Sequence, residues 1–197
     1  MLQENTPFLY TEHLFLRKFT VSDIPALFHM LQEPEMNTFL PWFPLKDMNE
    51  AKQFLEKNFL SYYSLPSAYR YAICKKEEDI PIGYIWLAQD DSYDFGYGLT
   101  KDFWNQGIVT EAAAAVVSRI KAAGYPYITA THDINNPRSG RVMQKLGMTY
   151  RYSYVEQWQP KNIPVTFRMY QLNFNGSGNT YPKYWNQYDS HFIEENI

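Results

Sequence analysis

The chain has little that would tie it covalently, to a metal or to a membrane. Its single cysteine, Cys74, lies in a probable strand, so a disulfide framework and a cysteine metal cluster are both excluded. No apolar run approaches membrane-spanning length, and the first stretch shows neither a basic n-region nor an apolar h-region. A soluble, cytoplasmic protein with no membrane partner is therefore expected. There is no excess of basic charge: the net charge is −3, which argues against nucleic acid as a main partner. A Gly-Lys-Ser/Thr phosphate loop and a helix-opening G-x-G-x-x-G are also missing, as is any internal repeat.

What the chain does have is apolar and aromatic bulk. Hydrophobic residues make up 45% of 197, enough for one domain or one domain with an extension. Aromatic residues reach 18%, with 17 tyrosines, which points to aromatic-lined surfaces or clefts.

Patterning gives an element order. "HLFLRKFT" (13–20) alternates like a half-buried strand, and Ser22 is placed as the N-cap of a helix over "IPALFHMLQ". "NTFLPWFPLKD" (37–47) reads as a stiff Pro-aromatic loop, followed by a helix over 48–63. "YRYAICKK" and "IGYIWLAQ" form strands around the charged turn "EEDIP". "YDFGYGL" (93–99) is a strand in which Gly96 and Gly98 suggest a bulge. An alanine-rich helix then runs to Gly124, "YITATHD" is a strand, and "NPRSGRVMQKLG" is a helix with Asn136 as N-cap and Pro137 in its first turn. "YRYSYVEQW" and "VTFRMYQLNF" close as a hairpin. The order β-αα-βββ-α-β-α-ββ implies an α/β (α+β mixed) fold, a mixed and mostly antiparallel sheet covered by helices. After Phe174, "NGSGNT" reads as a flexible linker, and the aromatic stretch to residue 197 is either a frayed tail or a docked one.

The alanine helix opens without an acidic N-cap, on "WNQGIVTEAAAAVV". The first four amides of a helix have no partner within it, and the macrodipole adds about half a positive charge there. A glycine at that mouth admits a ligand to the backbone, so the turn suits a pyrophosphate. One glycine alone fits an ordinary loop-to-helix junction equally well.

The strand–turn–helix "FGYGLTKDFWNQGIVTEAAAAVV", with "NNPRSGRVMQKLGM" one strand later, resembles the GNAT superfamily of acetyl-CoA-dependent N-acetyltransferases. The nearest likeness is the branch typified by ribosomal-protein N-terminal acetyltransferases, whose loop after the first helix "FLPWFP" also resembles. The resemblance covers roughly residues 9 to 174. It implies an acetyltransferase domain over 1–174, with 175–197 a linker and aromatic C-terminal extension, and a bulged strand before a CoA-binding helix. It also implies acetyl-CoA as cosubstrate, no metal, an amine acceptor (a small molecule or a protein N-terminus), and a monomer or homodimer.

Carried over position by position, the resemblance implies cofactor contacts at Leu99, Gln106, Gly107, Ile108, Val109, Thr110, Asn136 and Ser139. In the pyrophosphate turn only Gly107 matches the family glycine, with Trp104 and Val109 at the flanking motif positions, so Val109 has to point away from the ligand. Gly96-Tyr97-Gly98-Leu99 falls where the family pairs backbone with pantetheine, and the Leu99 amide where it places an oxyanion donor. Gly98 stands where relatives carry a bulky residue, which implies a wider acceptor cleft. Asn136 matches a pantetheine-facing position, although plain N-capping accounts for it as well. Many members have a tyrosine general acid four residues after Ser139; Met143 stands there, which leaves Ser139 to protonate the leaving thiolate. Asp94 occupies a place often acidic in the family and is the candidate general base, with His132 and Asp133 as others. Phe39, Trp42, Phe43 and Tyr97 are candidates to line the acceptor site. Arg141 and Lys145 meet either CoA phosphates or only solvent.

An α-amine of pKa ~8 costs about 1 kcal/mol to deprotonate at pH 7, and a lysine near 10.4 costs about 4–5 kcal/mol. Without a compelling base, an α-amine or another small amine is favoured over a protein lysine. The alternative from another class is a degenerate member that binds CoA or an effector without turnover, suggested by Val109 and Met143.

Overall fold

The computed structural model describes residues 4–195 and 197. Residues 1–3 and 196, at the two ends of the expected domain and extension, lie outside the described residues.

The expected single sheet is two. Strands β1 (Leu9–Tyr10), β2 (Leu14–Arg17), β3 (Arg70–Lys75), β4 (Glu78–Leu87) and β5 (Phe95–Leu99) form a five-stranded antiparallel sheet in chain order. Strands β6 (Tyr127–Asp133), β7 (Thr149–Trp158), β8 (Ile163–Asn173) and β9 (His191–Phe192) form a second antiparallel sheet in the order β6-β8-β7-β9. A parallel bridge between Asp94 and Thr129 joins them, with Thr129 N donating to Tyr93 O at 3.2 Å. Beyond that bridge β5 and β6 diverge, and the gap between them becomes the cleft described below.

Helices cover the first sheet on both faces because its strands are apolar on both. On one face Ala72, Cys74 and Tyr84 pack with Leu27, Met30 and Leu31 of α1 (Ile24–Leu31) and with Leu55 of α3 (Met48–Asn58). On the other, Tyr71, Ile73, Ile85 and Leu87 meet Ala112, Ala113, Val116 and Ile120 of α4 (Ile108–Ala122). Successive side chains alternate between the two faces. The small alanines of α4 let its backbone lie close to the sheet. Helix α5 (Pro137–Lys145) packs over β6.

Several boundaries move. A 3-10 turn over Val21–Asp23 leads into α1, and its cap is Thr20, not Ser22: Asp23 accepts from the Thr20 amide at 2.7 Å, and Ser22 only meets the Thr20 hydroxyl. Helix α3 stops at Asn58 rather than 63, because Phe59 leaves helical geometry to bury its ring, and a short 3-10 turn follows. The Pro-aromatic loop is preceded by a one-turn helix, α2 (Pro34–Asn37).

The bulge expected at Gly96–Gly98 is absent: β5 pairs with β4 in unbroken register from Leu87↔Phe95 to Gly83↔Leu99. The glycines serve packing instead. A Cβ on Gly96 would lie 2.0 Å from Nε1 of Trp86, and one on Gly98 would lie 2.5 Å from the Tyr84 ring. Side chains on β4 lie over β5, and only glycine leaves them room.

The C-terminal segment docks on the second sheet. Tyr181 is buried and its amide donates to Gln171 Oε1 at 2.8 Å, while the Tyr152 hydroxyl donates to Tyr181 O at 2.7 Å. Asn173 and Gln171 side chains hold Ser177 O and Asn179 O, so the stretch expected as a flexible linker is pinned. Helix α6 (Lys183–Gln187) follows, and β9 pairs with the outer edge of β7 through Ser153↔Phe192 and Tyr154↔His191. An Arg168–Glu194 ion pair closes the segment, its guanidinium Nε 2.9 Å from the carboxylate. Among the described residues no helix is long and apolar enough to cross a membrane, and no group of three or more His, Cys, Asp or Glu is placed to hold a metal.

Candidate active site

A cavity of about 930 Å³ opens where β5 and β6 part. It runs from the N-terminus of α4 and the face of α5, past β5, to the hairpin β7–β8 and α6.

The α4 end is built from backbone. Gly107 is the N-cap residue at φ 81°, and no side chain caps the amides that follow. Glu111, the one acid of the first turn, is turned away: its carboxylate accepts from the His13 amide at 2.9 Å and from the Thr11 hydroxyl. The freed amide row therefore keeps its positive character. A Cβ added to Gly107 would meet nothing within 4 Å, so the space above the turn is open. Ile108, Val109 and Thr110 line the cavity, and Ile108 and Val109 also pack on the main core. Gln106 does not line it: its side chain is exposed and donates to Asp102 O at 2.9 Å, which leaves only its backbone at the turn. Trp104 ties the turn to β5 by donating from Nε1 to Leu99 O at 2.7 Å. The guanidinium of Arg138 lies 5.7 Å from the Trp104 ring, and Arg138, Arg141 and Lys145 all reach the cavity from α5. This end of the cavity is cationic.

The middle is the open edge of β5. The Ala88 amide donates to Asp94 O and the Thr100 amide to Ile82 O, each at 2.8 Å. In an antiparallel ladder the hydrogen-bonding groups alternate in direction. Even-numbered residues of β5 therefore pair with β4, and the amides of Tyr97 and Leu99 point to the opposite edge, toward the cleft. Ser139, in the first turn of α5, faces this edge. Tyr97 reaches it: the Tyr97 hydroxyl donates to Ser139 O at 2.8 Å and lies 2.9 Å from Ser139 Oγ, which leaves Oγ as the donor of that second bond. The phenol is raised well above its ordinary range by burial. Asn136 caps α5 by accepting from the Ser139 amide, and Met143 is buried against the cavity.

Asp94 stands at the bridge between the sheets. As a residue it keeps part of its surface, but its Oδ1 is enclosed and has no hydrogen-bond partner. The enclosure of the carboxyl, with Asp90 adding repulsion, pushes its pKa up to about 7. His132 and Asp133 also line the cavity. His132 Nδ1 lies 2.8 Å from Asp133 O, and burial lowers the pKa of the ring. Its Nε2 is wedged against Gly140, where a Cβ would come within 2.6 Å.

The far end is aromatic. Phe39 and Trp42 line it, with Trp42 edge-on to Trp86 at 5.9 Å. Phe43, expected with them, is 57% exposed and lies off the cavity. The wider cleft expected over Gly98 is filled by the Tyr84 ring. Opposite stand Tyr154, Glu156, Trp158, Tyr184 and Tyr188. Sequence patterning singled out none of these five. Tyr154, Glu156 and Trp158 lie on β7, whereas Tyr184 and Tyr188 are placed by the fold-back of α6, for which the only sequence signal is the density of tyrosine after residue 180.

The acetyltransferase (GNAT) domain family model matches residues 13–149. The uncharacterised N-acetyltransferase YnaD of Bacillus subtilis strain 168 is 26% identical over 155 residues, spanning 77% of this chain and 87% of its own. Among solved structures, a GNAT-family acetyltransferase from Bacillus anthracis superposes with a TM-score of 0.75 at 22% identity, over 86% of this chain and 99% of that one. A ribosomal L7/L12 α-N-protein acetyltransferase solved in complex with coenzyme A also gives 0.75, at 18% identity, over 87% and 100%. At these identities the structural likeness is one of fold.

Proposed function

This chain belongs to the GNAT acetyltransferase family, and on that premise we propose that it moves an acetyl group from acetyl-CoA to a primary amine by direct attack in a ternary complex. The observation that carries this reading is the polarity of one cleft. Uncapped amides and Arg138, Arg141 and Lys145 lie at one end, an enclosed carboxyl at the centre, and rings with a second carboxylate at the other.

The amides from Gly107 to Thr110 suit the pyrophosphate, and the open space over Gly107 gives it access. The cleft-facing amides of Tyr97 and Leu99 suit the pantetheine arm, that of Leu99 also serving as oxyanion donor to the thioester carbonyl. Asp94 takes the proton of the incoming ammonium, since a base with a pKa of about 7 is half-ionised near neutral pH. The amine nitrogen then bonds to the carbonyl carbon, the carbon–sulfur bond breaks, and the nitrogen gives up its extra proton. Ser139 Oγ protonates the departing thiolate and takes the nitrogen's extra proton in exchange, its hydroxyl held in place by the Tyr97 hydroxyl 2.9 Å away. A tyrosine from β5 thus positions a proton donor where the family pattern would put a tyrosine on α5, so Met143 no longer argues for a silent binder.

Release of free thiol from acetyl-CoA, screened against small amines and N-terminal peptides, is the direct test. Turnover with at least one acceptor is expected. No turnover with any, together with no rise in melting temperature at millimolar acetyl-CoA, would overturn the reading. Ser139→Ala should lower kcat on the order of 10²-fold, with acetyl-CoA affinity within about twofold. Tyr97→Phe, which keeps the ring, should lower kcat in the same direction. A large affinity loss at unchanged kcat would place Ser139 in binding instead.

A further inference from the structure

The family match ends at residue 149, yet the aromatic end of the cleft is walled by what comes later in the chain. Tyr154 on β7 is the middle ring of a stack, with Tyr184 at 5.2 Å and Tyr188 at 4.9 Å between centroids, tilted by 21° and 9°. All three rings line the cavity. Two carboxyls, Asp94 and Glu156, lie close enough to act electrostatically on Tyr154. Ring faces and carboxylates together are the surroundings that hold an ammonium group.

The same segment removes the place where a peptide would bind. An extended polypeptide acceptor gains affinity by adding to a free strand edge. The outer edge of β7, beside Tyr154 and Glu156, is taken by the chain itself: β9 pairs there, and the Val155 amide donates to Ser190 O at 2.9 Å. The tip of the β7–β8 hairpin also reaches across to α2, where Lys161 Nζ donates to Asn37 O at 2.5 Å.

Resting on the acetyltransferase reading, we infer that residues 181–192 are the specificity wall of the acceptor site, and that the acceptor is a compact, protonated small-molecule primary amine rather than a polypeptide chain. Tyr184 and Tyr188 are specificity-determining residues; the cofactor end owes nothing to them.

The test is made in the full-length chain with Tyr184→Ala/Tyr188→Ala, assayed with a panel of alkyl monoamines, diamines and N-terminal peptides. KM for the preferred amine should rise at least tenfold, with KM for acetyl-CoA and its melting shift unchanged. Tyr188→Phe, which keeps the stack, should keep KM within about threefold. Unchanged amine KM in the double variant, or turnover confined to peptides, would overturn the inference. A double variant that loses the acetyl-CoA melting shift would also count against it, because the wall would then be part of the fold of the cofactor end. Calorimetric binding of the amine to CoA-loaded protein separates this inference from the reading beneath it. Amine binding that is lost in the double variant, in a wild-type chain that turns nothing over, would keep the wall and sink the enzyme.

Discussion

Asp94→Asn should give a protein that is more stable and far less active. The carboxyl is raised from 3.8 to about 7, mainly by its enclosure and then by Asp90. In the unfolded chain it ionises near its ordinary value, so between about pH 4 and 7 the folded state holds a proton that the unfolded state has lost. Stability falls with rising pH through that window and is lowest above it. A shift of this size corresponds to at most about 4 kcal/mol, a ceiling because the residue keeps part of its surface in contact with water. Asparagine is neutral at every pH. The variant should therefore melt above the wild type at pH 8, and the two should converge below pH 4. Activity should move the other way, since kcat/KM of the wild type is expected to rise through pH 7 as the carboxylate forms. The variant should lose on the order of 10²–10⁴-fold and its rising limb near 7. Equal melting at pH 8 would mean that the carboxyl is not enclosed in solution. Retained activity with an unchanged limb would move the base to His132 or another group.

Local signals in the sequence reached the elements and the cofactor end, and missed the acceptor end. Strand β6 was legible because "YITATHD" alternates, and α5 because Asn136-Pro137 sets a cap and a first turn. The uncapped start of α4 was legible too, because caps act within one turn. Apart from the cap at Thr20, which is local, what the sequence does not show depends mostly on partners distant along the chain. Gly96 and Gly98 suggested a bulge, since nothing local says that Trp86 and Tyr84 lie over them. Tyr97 lines the cavity, as expected of an acceptor-site residue, but its bond to Ser139 spans 42 residues and has no local signal. The loop that carries Phe39, Trp42 and Phe43 resembles an acceptor wall, but side chains of one loop need not share a face, and Phe43 turns away from the cavity that Phe39 and Trp42 line. The tail was undecided between frayed and docked because its docking rests on Tyr181, Tyr184 and Glu194 finding sites on β7 and β8. Aromatic composition announced such contacts without saying where they fall.

Gly107→Glu should abolish acetyl-CoA binding while leaving the fold in place. The two outcomes separate because an added Cβ would meet nothing within 4 Å beyond its own chain neighbours, so the added side chain starts in open space. The backbone at φ 81° costs a non-glycine residue about 1 kcal/mol, a modest fall in melting temperature that ligand cannot mask. The carboxylate, by contrast, would stand at the mouth of α4, where the amide row has been kept free by turning Glu111 toward His13. It would satisfy those amides intramolecularly and repel the pyrophosphate, so affinity should fall at least 100-fold. Gly107→Asn separates backbone from charge, because asparagine tolerates the left-handed region, as Asn105 already does at φ 61°. That variant should share the small melting loss and keep measurable affinity. Wild-type protein at 100 times the dissociation constant gains about 2.7 kcal/mol from ligand. The glutamate variant should show no such shift at the same acetyl-CoA concentration, and the asparagine variant a reduced one. A full shift in the glutamate variant would mean that the pyrophosphate binds elsewhere. The free amides of α4 would then need another anion to explain why Glu111 leaves them open.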